Sequence, residues 1–400
     1  MLFWEPSFQK AGTRWKSGTG TGKRGRTGSI RGLYSGGNDP GSISKEESRM
    51  KIYIYKGGLS IVKKSGVGSA VQHQEQMLKE TGAPIATSWK EADVVHINTV
   101  FPDSVLAAWA ARKQGKKVVY YGHSTMEDFR NSFIGSNLAA PLFRRWICRC
   151  YRMGDVILTP TEYSRKLLKG YGLTAPIYSL TNGADTKFFC ADESAGKRFR
   201  KRYRIPEGKK VVISAGHLIR RKGIFDFLEL ASKMPDILFI WFGGGNRLLI
   251  PPDVRRAVKA KTQNVIFAGF VGAQELKEAY CGADAFVHFS YEETEGIVVL
   301  EALACKVPVI VRRIPVYDGW LQEEVHVQKA SETEEFQCCI RELVSRDCRK
   351  LTERGRKLAE EHSIYNTGMQ LNVIYQSEKL ALSPHISKEN LENEKGLSYD

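Results

Sequence analysis

From Met50 onward the chain alternates short apolar runs with longer segments whose apolar residues recur every three or four positions. The short runs, rich in Val, Ile and aromatic residues, predict strands; the longer segments predict amphipathic helices. Strands are expected at Lys51–Tyr55, Val94–Asn98, Lys117–Tyr121, Val156–Thr159 and Ile177–Leu180. After a basic, broken segment from Asp192 to Lys210, the alternation resumes at Val211–Ala215, Ile237–Phe242, Val265–Ala268, Ala285–Ser290 and Val307–Val311. Such alternation is the signature of parallel α/β sheets. The expected architecture is therefore α/β, with one Rossmann-like domain over 50–190 and a second over 191–380, whose last helix packs back on the first. Residues 1–49, rich in Gly, Ser, Arg and Lys, are expected to be a disordered or non-native extension, and 381–400 a polar tail. Ligands of parallel sheets bind beyond the carboxyl ends of the strands, so a cleft between the two sheets is the expected site.

Composition narrows the function classes. No apolar run approaches the roughly 20 residues of a spanning helix, and the N-terminus lacks the apolar core of a secretion signal, so export is not expected. The eight cysteines form no CxxC pair and no Cys/His metal spacing, which predicts reduced thiols and no metal site. The formal charge of +16 divides as +5 over 1–49, +9 over 50–190 and +2 over 191–400. The excess in the first folded half points to an anionic partner there: phosphate, nucleic acid or lipid headgroups. The run Lys197–Arg204 motivates a nucleic-acid reading, but no nucleic-acid module surrounds it; a solvated helix is expected, and no nucleic acid. Gly243-Gly-Gly245 motivates a dinucleotide oxidoreductase, yet the first strand is not followed by Gly-x-Gly-x-x-Gly with a later acidic residue. Ser17-Gly-Thr-Gly-Thr-Gly-Lys23 imitates a phosphate loop but has Ser where Gly is required and Arg24 where Ser or Thr is required, so it reads as a linker.

Candidate chemistry gathers at the predicted strand ends. Glu293-Thr-Glu-Gly-Ile-Val-Val-Leu-Glu301 lies between a strand and a helix running through Ala304, with Gly296 allowing a tight loop at the helix N-terminus. Free N–H groups and the helix dipole favour negative charge there. Gly66 and Gly68 precede a helix beginning near Ala70, where glycines let backbone N–H groups approach an anion. His123 follows the strand Lys117–Tyr121, with Glu127 and Asp128 as candidate contacts for acceptor hydroxyls. The segment Ala140–Met153 reads as a helix with Pro141 in its first turn. Leu142, Phe143, Trp146, Ile147, Cys150 and Met153 share one half of its wheel; Arg144, Arg145 and Arg152 occupy the other, with Arg149 at the boundary. The pattern suits either an interfacial helix on anionic lipid or a core-facing helix with a solvated back. The charge of the first half favours membrane contact through Phe143, Arg144, Arg145, Trp146, Ile147 and Arg149.

Glu293 to Glu301, followed by Ala302-Leu-Ala-Cys305 and Pro308-Val-Ile310, resembles the donor-binding signature of family 4 glycosyltransferases, which have the GT-B fold. Ala215-Gly-His-Leu-Ile-Arg-Arg-Lys-Gly223, Asn264–Phe270 and Thr181-Asn-Gly-Ala-Asp185 extend the resemblance over about residues 50–380. It implies a retaining enzyme in which Glu293 contacts the transferred sugar, Glu301 the donor ribose and Lys222 the diphosphate, while Gly66 and Gly68 face that diphosphate and His123 the donor sugar. The family usually has Arg where this chain has His217; Arg220 or Arg221 is expected to compensate. No Asp-x-Asp triplet is present, so no metal and no cofactor is expected beside a UDP-glucose or UDP-galactose donor. Tyr121–Leu138, Glu292–Glu301 and Ile314–Trp320 further resemble a glycolipid subgroup of Gram-positive bacteria, which adds a hexose to diacylglycerol or glucosyl-diacylglycerol. The resemblance implies a nucleotide sugar, an anionic membrane lipid and a glycolipid acceptor as partners, with peripheral attachment at the cytoplasmic face of the plasma membrane. A soluble or polysaccharide acceptor is the alternative.

Overall fold

The computed structural model describes residues 50–58, 66–245 and 250–380, all within one compact unit, Ser48–Asp400. The expectations for 1–49, for the phosphate-loop look-alike and for 381–400 lie outside the described residues.

Two parallel sheets carry the fold. The first runs in the order β1 (Ile52–Tyr55), β2 (Val94–Ile97), β3 (Lys117–Tyr121), β4 (Val156–Thr159), β5 (Ile177–Ser179). Alternation sorts its side chains: Ile52, Ile54, Val94, Val119 and Tyr121 enter one core layer, while Tyr53, Tyr55, Val95, Val118 and Tyr120 face the other. The second sheet comprises β6 (Val211–Ala215), β7 (Leu238–Phe242), β8 (Val265–Gly269), β9 (Ala285–His288), β10 (Val309–Arg312) and β11 (Gln328–Ala330). Their order is β11-β10-β9-β6-β7-β8. Its order reverses between β6 and β9, which pair in parallel with Val212 opposite Ala285 and Ile213 opposite Phe286. A crevice opens at such a reversal because successive connections leave in opposite directions. β11 is too short and polar to show in the hydrophobic pattern.

The helices used below are α1 (Gly66–Glu80), α2 (Pro102–Lys113), α3 (Met126–Phe129), α4 (Ser136–Tyr151), α5 (Glu162–Lys169), α6 (Glu193–Arg202), α7 (Ile224–Lys233), α8 (Pro252–Lys259), α9 (Ala273–Gly282), α10 (Ile297–Ala304), α11 (Thr333–Ser345), α12 (Arg349–Glu361) and α13 (Ile364–Leu380). The last helix lies against the first sheet: Ile364, Leu371 and Tyr375 join the layer of Ile52 and Tyr121, and the Tyr375 hydroxyl lies 2.7 Å from His96 Nδ1.

Three local expectations are corrected. α1 already includes Gly66 rather than beginning near Ala70, so Gly66 and Gly68 lie within the helix and not before it. α4 starts at Ser136, one turn earlier than expected, because Asn131 and Asn137 exchange two 2.9 Å hydrogen bonds that fix its entry; Pro141 is therefore inside the helix. The basic run 197–204 is not simply solvated: Arg198 and Arg202 pair with Glu278, and Arg200 with Asp284. Among the described residues no helix is long and apolar enough to cross a membrane.

Candidate active site

Because β6 and β9 are adjacent, the loops leaving their carboxyl ends meet. The first, after Ala215, ends in the turn Arg220–Lys222; the second, after His288, carries Glu293 and enters α10. Gly296 caps that helix at φ +92°, a left-handed conformation natural to glycine, and a Cβ there would stand 3.0 Å from the Tyr317 hydroxyl. Glu293 is buried, with Lys222 Nζ on one of its oxygens and His288 Nε2 at 2.9 Å from the same atom. Burial alone would raise the Glu293 carboxyl, but Lys222, His288 and Arg221 together hold it well below the usual carboxylate range. His288 Nε2 therefore donates to an ionised carboxylate. Glu301, inside α10, has no such neighbour: its contact is the Tyr280 hydroxyl at 3.3 Å, and burial pushes its carboxyl up to about 7.

The first half supplies the opposite wall. His123 Nε2 donates to Asn98 Oδ1 at 2.8 Å, while Asn98 and Gln74 exchange bonds of 2.8 and 2.9 Å. Its ring stacks on Tyr121 with centroids 4.2 Å apart, and burial brings the imidazole down to about 3, so it is neutral. Arg221 crosses the cleft: it pairs with Asp128 at 2.8 Å, donates to Ser132 Oγ at 3.1 Å and holds the Glu292 carbonyl at 2.6 Å. The loop before α10 is tied to the first half as well. Thr161 Oγ1 donates to the Thr294 carbonyl at 2.8 Å, and Tyr163 to Glu292 Oε1 at 2.9 Å.

The structure thus brings Lys222, Arg221 and Glu293 into direct contact and sets His123 in the opposite half. His217 turns its Nδ1 to the Gly244 carbonyl at 2.9 Å. Arg220, offered as a substitute cation, instead pairs with Asp253 at 2.6 Å; Arg221 lies in the cleft. Asp128 is held by Arg221, and Glu127 accepts from the Tyr171 hydroxyl. The membrane set needs revision. Ile147 is fully buried, the Trp146 indole donates inward to the Val100 carbonyl at 2.6 Å, and Phe143 stacks on Phe129. Arg144 bonds the Gly170 carbonyl at 3.1 Å, whereas Arg145 and Arg149 are exposed. The exposed apolar residues lie at the other end of α4 and in the loop before it: Phe133, Ile134, Leu138 and Leu142. The wheel located an apolar stripe but could not tell that the core claims all of it except Leu142. Sequence reasoning also missed His288, Glu295 and Arg221–Asp128: His288 reads as a strand residue although its partner Glu293 is five residues on, while the partners of Glu295 and Arg221 are distant in sequence.

Two parallel α/β sheets whose strand-end loops face each other across a cleft define the GT-B class of glycosyltransferase. Residues 82–188 match the family model Glycosyltransferase Family 4, and residues 196–359 match Glycosyl transferases group 1. The chain is 38% identical over 331 residues to the processive diacylglycerol alpha-glucosyltransferase of Acholeplasma laidlawii, covering 82% of this chain and 98% of that one. It is 25% identical over 302 residues to the alpha-galactosylglucosyldiacylglycerol synthase of Streptococcus pneumoniae, covering 72% of this chain and 77% of that one. The Anabaena protein HepE in complex with UDP-glucose shares the fold, with a TM-score of 0.65 at 16% identity over 82% of this chain and 100% of that one. The chain belongs to glycosyltransferase family 4.

Proposed function

We propose that this enzyme transfers glucose or galactose, with retention, from a UDP-sugar to a diacylglycerol-based membrane lipid, above all glucosyl-diacylglycerol. The observation that carries the reading is the likeness to the Acholeplasma laidlawii relative across nearly its whole length. The cleft suits the chemistry. Lys222, Arg221 and the N-terminus of α10 concentrate positive charge where a departing diphosphate would gather negative charge. Glu293, kept ionised, accepts from sugar hydroxyls, Glu301 from the ribose, and neutral His123 presents a hydrogen-bonding edge to the sugar without adding charge. The acceptor hydroxyl attacks the anomeric carbon on the face the diphosphate leaves; the C–O bond to phosphate breaks and a phosphate oxygen takes the hydroxyl proton. Glu293 then needs no covalent adduct.

On this reading the first half meets the cytoplasmic face of the membrane. Phe133, Ile134, Leu138 and Leu142, next to exposed Arg145 and Arg149, offer apolar insertion beside charge for anionic headgroups. Incubation with radiolabelled UDP-glucose or UDP-galactose and mixed micelles of diacylglycerol or glucosyl-diacylglycerol tests the function. A labelled glycolipid that falls by roughly 10²–10³-fold in Glu293→Gln is the expected result. UDP release without labelled lipid would overturn the acceptor, and a trapped glycosyl adduct on Glu293 would overturn the mechanism.

A further inference from the structure

Glu295, two residues past Glu293, turns to Thr181 and Asn182 of the first half. It is 3% exposed and spends its carboxylate on the other half of the molecule. The Asn182 backbone N–H lies 3.0 and 3.2 Å from its two oxygens, Asn182 Nδ2 donates at 2.7 Å, and the Thr181 hydroxyl donates as well. All three groups donate to it; an amide in its place has one accepting oxygen, and its NH2 is met only if the Thr181 hydroxyl turns from donor to acceptor. The segment it grips is where the chain crosses between the halves. Ala184 pairs with Ser363: its N–H donates to the His362 carbonyl and its carbonyl accepts from the Ile364 N–H, both at 3.0 Å. The same segment also fixes α1, because His73 Nδ1 reaches the Asn182 and Gly183 carbonyls at 3.2 and 2.9 Å. One short stretch of backbone therefore locates the Glu293 loop on one side and the helix carrying Gly66 on the other.

We propose that Glu295 is a positioning residue, locking the loop 292–296 to the crossing segment 181–184 so that Glu293 and the Gly66 end of α1 keep the separation a nucleoside diphosphate sugar spans. The proposal rests on the donor reading above. It touches neither donor nor acceptor itself and acts through the loop that bears Glu293.

The test begins with UDP binding to the wild-type enzyme by calorimetry; no binding would remove the donor reading, and this proposal with it. With binding established, Glu295→Gln and Thr181→Val are compared in steady state. Glu295→Gln is expected to raise the donor KM about tenfold and lower kcat several-fold while the acceptor KM stays put. Thr181→Val, which removes one of the donors, is expected to show the same split at smaller amplitude. Unchanged donor KM in both variants, or donor and acceptor KM rising together, would overturn the assignment and leave Glu295 a general stabiliser. Should Glu295→Gln not fold, Thr181→Val decides by the same split.

Discussion

The molecule carries two basic helices that look alike as sequence and behave differently as structure. α6 holds Arg198, Arg200 and Arg202, and each finds a carboxylate of its own half: Glu278 at 2.8 Å for Arg198, Asp284 at 2.8 Å for Arg200 and Glu275 at 3.1 Å for Arg202. α4 sends Arg145 and Arg149 into solvent beside Leu138 and Leu142, which are 91% and 69% exposed. The first is a structural clasp between α6 and α9; the second is an exposed face of apolar and basic side chains with no acid paired to it among the described residues. A count of charges cannot separate these cases, because what matters is whether an acid lies opposite in space.

Vesicle binding should separate the two helices most strongly. Leu138→Asp combined with Leu142→Asp should weaken binding to anionic vesicles by about 10²-fold, since each buried leucine contributes roughly 1.5–3 kcal/mol. Arg198→Ala combined with Arg202→Ala should leave that binding unchanged. Equal losses in a flotation assay would mean that both helices face the membrane. The α6 pair should instead lose folding stability, read as a lower denaturation midpoint, because it strips the buried Glu278 of both its cations. Adding Glu278→Gln should restore part of that loss.

The smallest effect concerns two buried carboxyls near α9. Glu278 resists burial because Arg198 and Arg202 hold it below the usual range. Glu301 has only Tyr280 and is lifted to about 7 from an ordinary 4.5. A carboxyl raised on folding contributes its stability in full below about 4.5 and loses it as pH climbs through about 7. Glu301→Gln should therefore match the wild type near pH 4.5 and exceed it by about 1–3 kcal/mol at pH 8. Melting curves at the two pH values check the sign; a variant less stable at pH 8 would mean that Glu301 is ionised at no cost.

The strands were legible because β-branched runs between polar breaks leave little else for the backbone to do, and all the expected strands appear within two residues at either end. Glu293, Gly296, Glu301 and Lys222 were legible through motif order. Glu295 sits in that motif yet gave no signal, since its meaning comes from Asn182, more than a hundred residues away. The early start of α4 depends on the Asn131–Asn137 hydrogen bonds, which periodicity does not carry. Ile147 and Trp146 show the same limit: an amphipathic wheel gives two faces but not which one is already spoken for.

The chain passes between its halves twice, and the passages lie side by side at Ala184 and Ser363. Dissection of the gene into two half-proteins would therefore fail in an asymmetric way. A fragment ending near 190 would lack α13 and expose the Ile52–Tyr121 layer that Leu371 and Tyr375 cover. Grafting a donor half from a relative would carry that cover along with it, so hybrids should tolerate an exchange only when both joints are cut from the same parent.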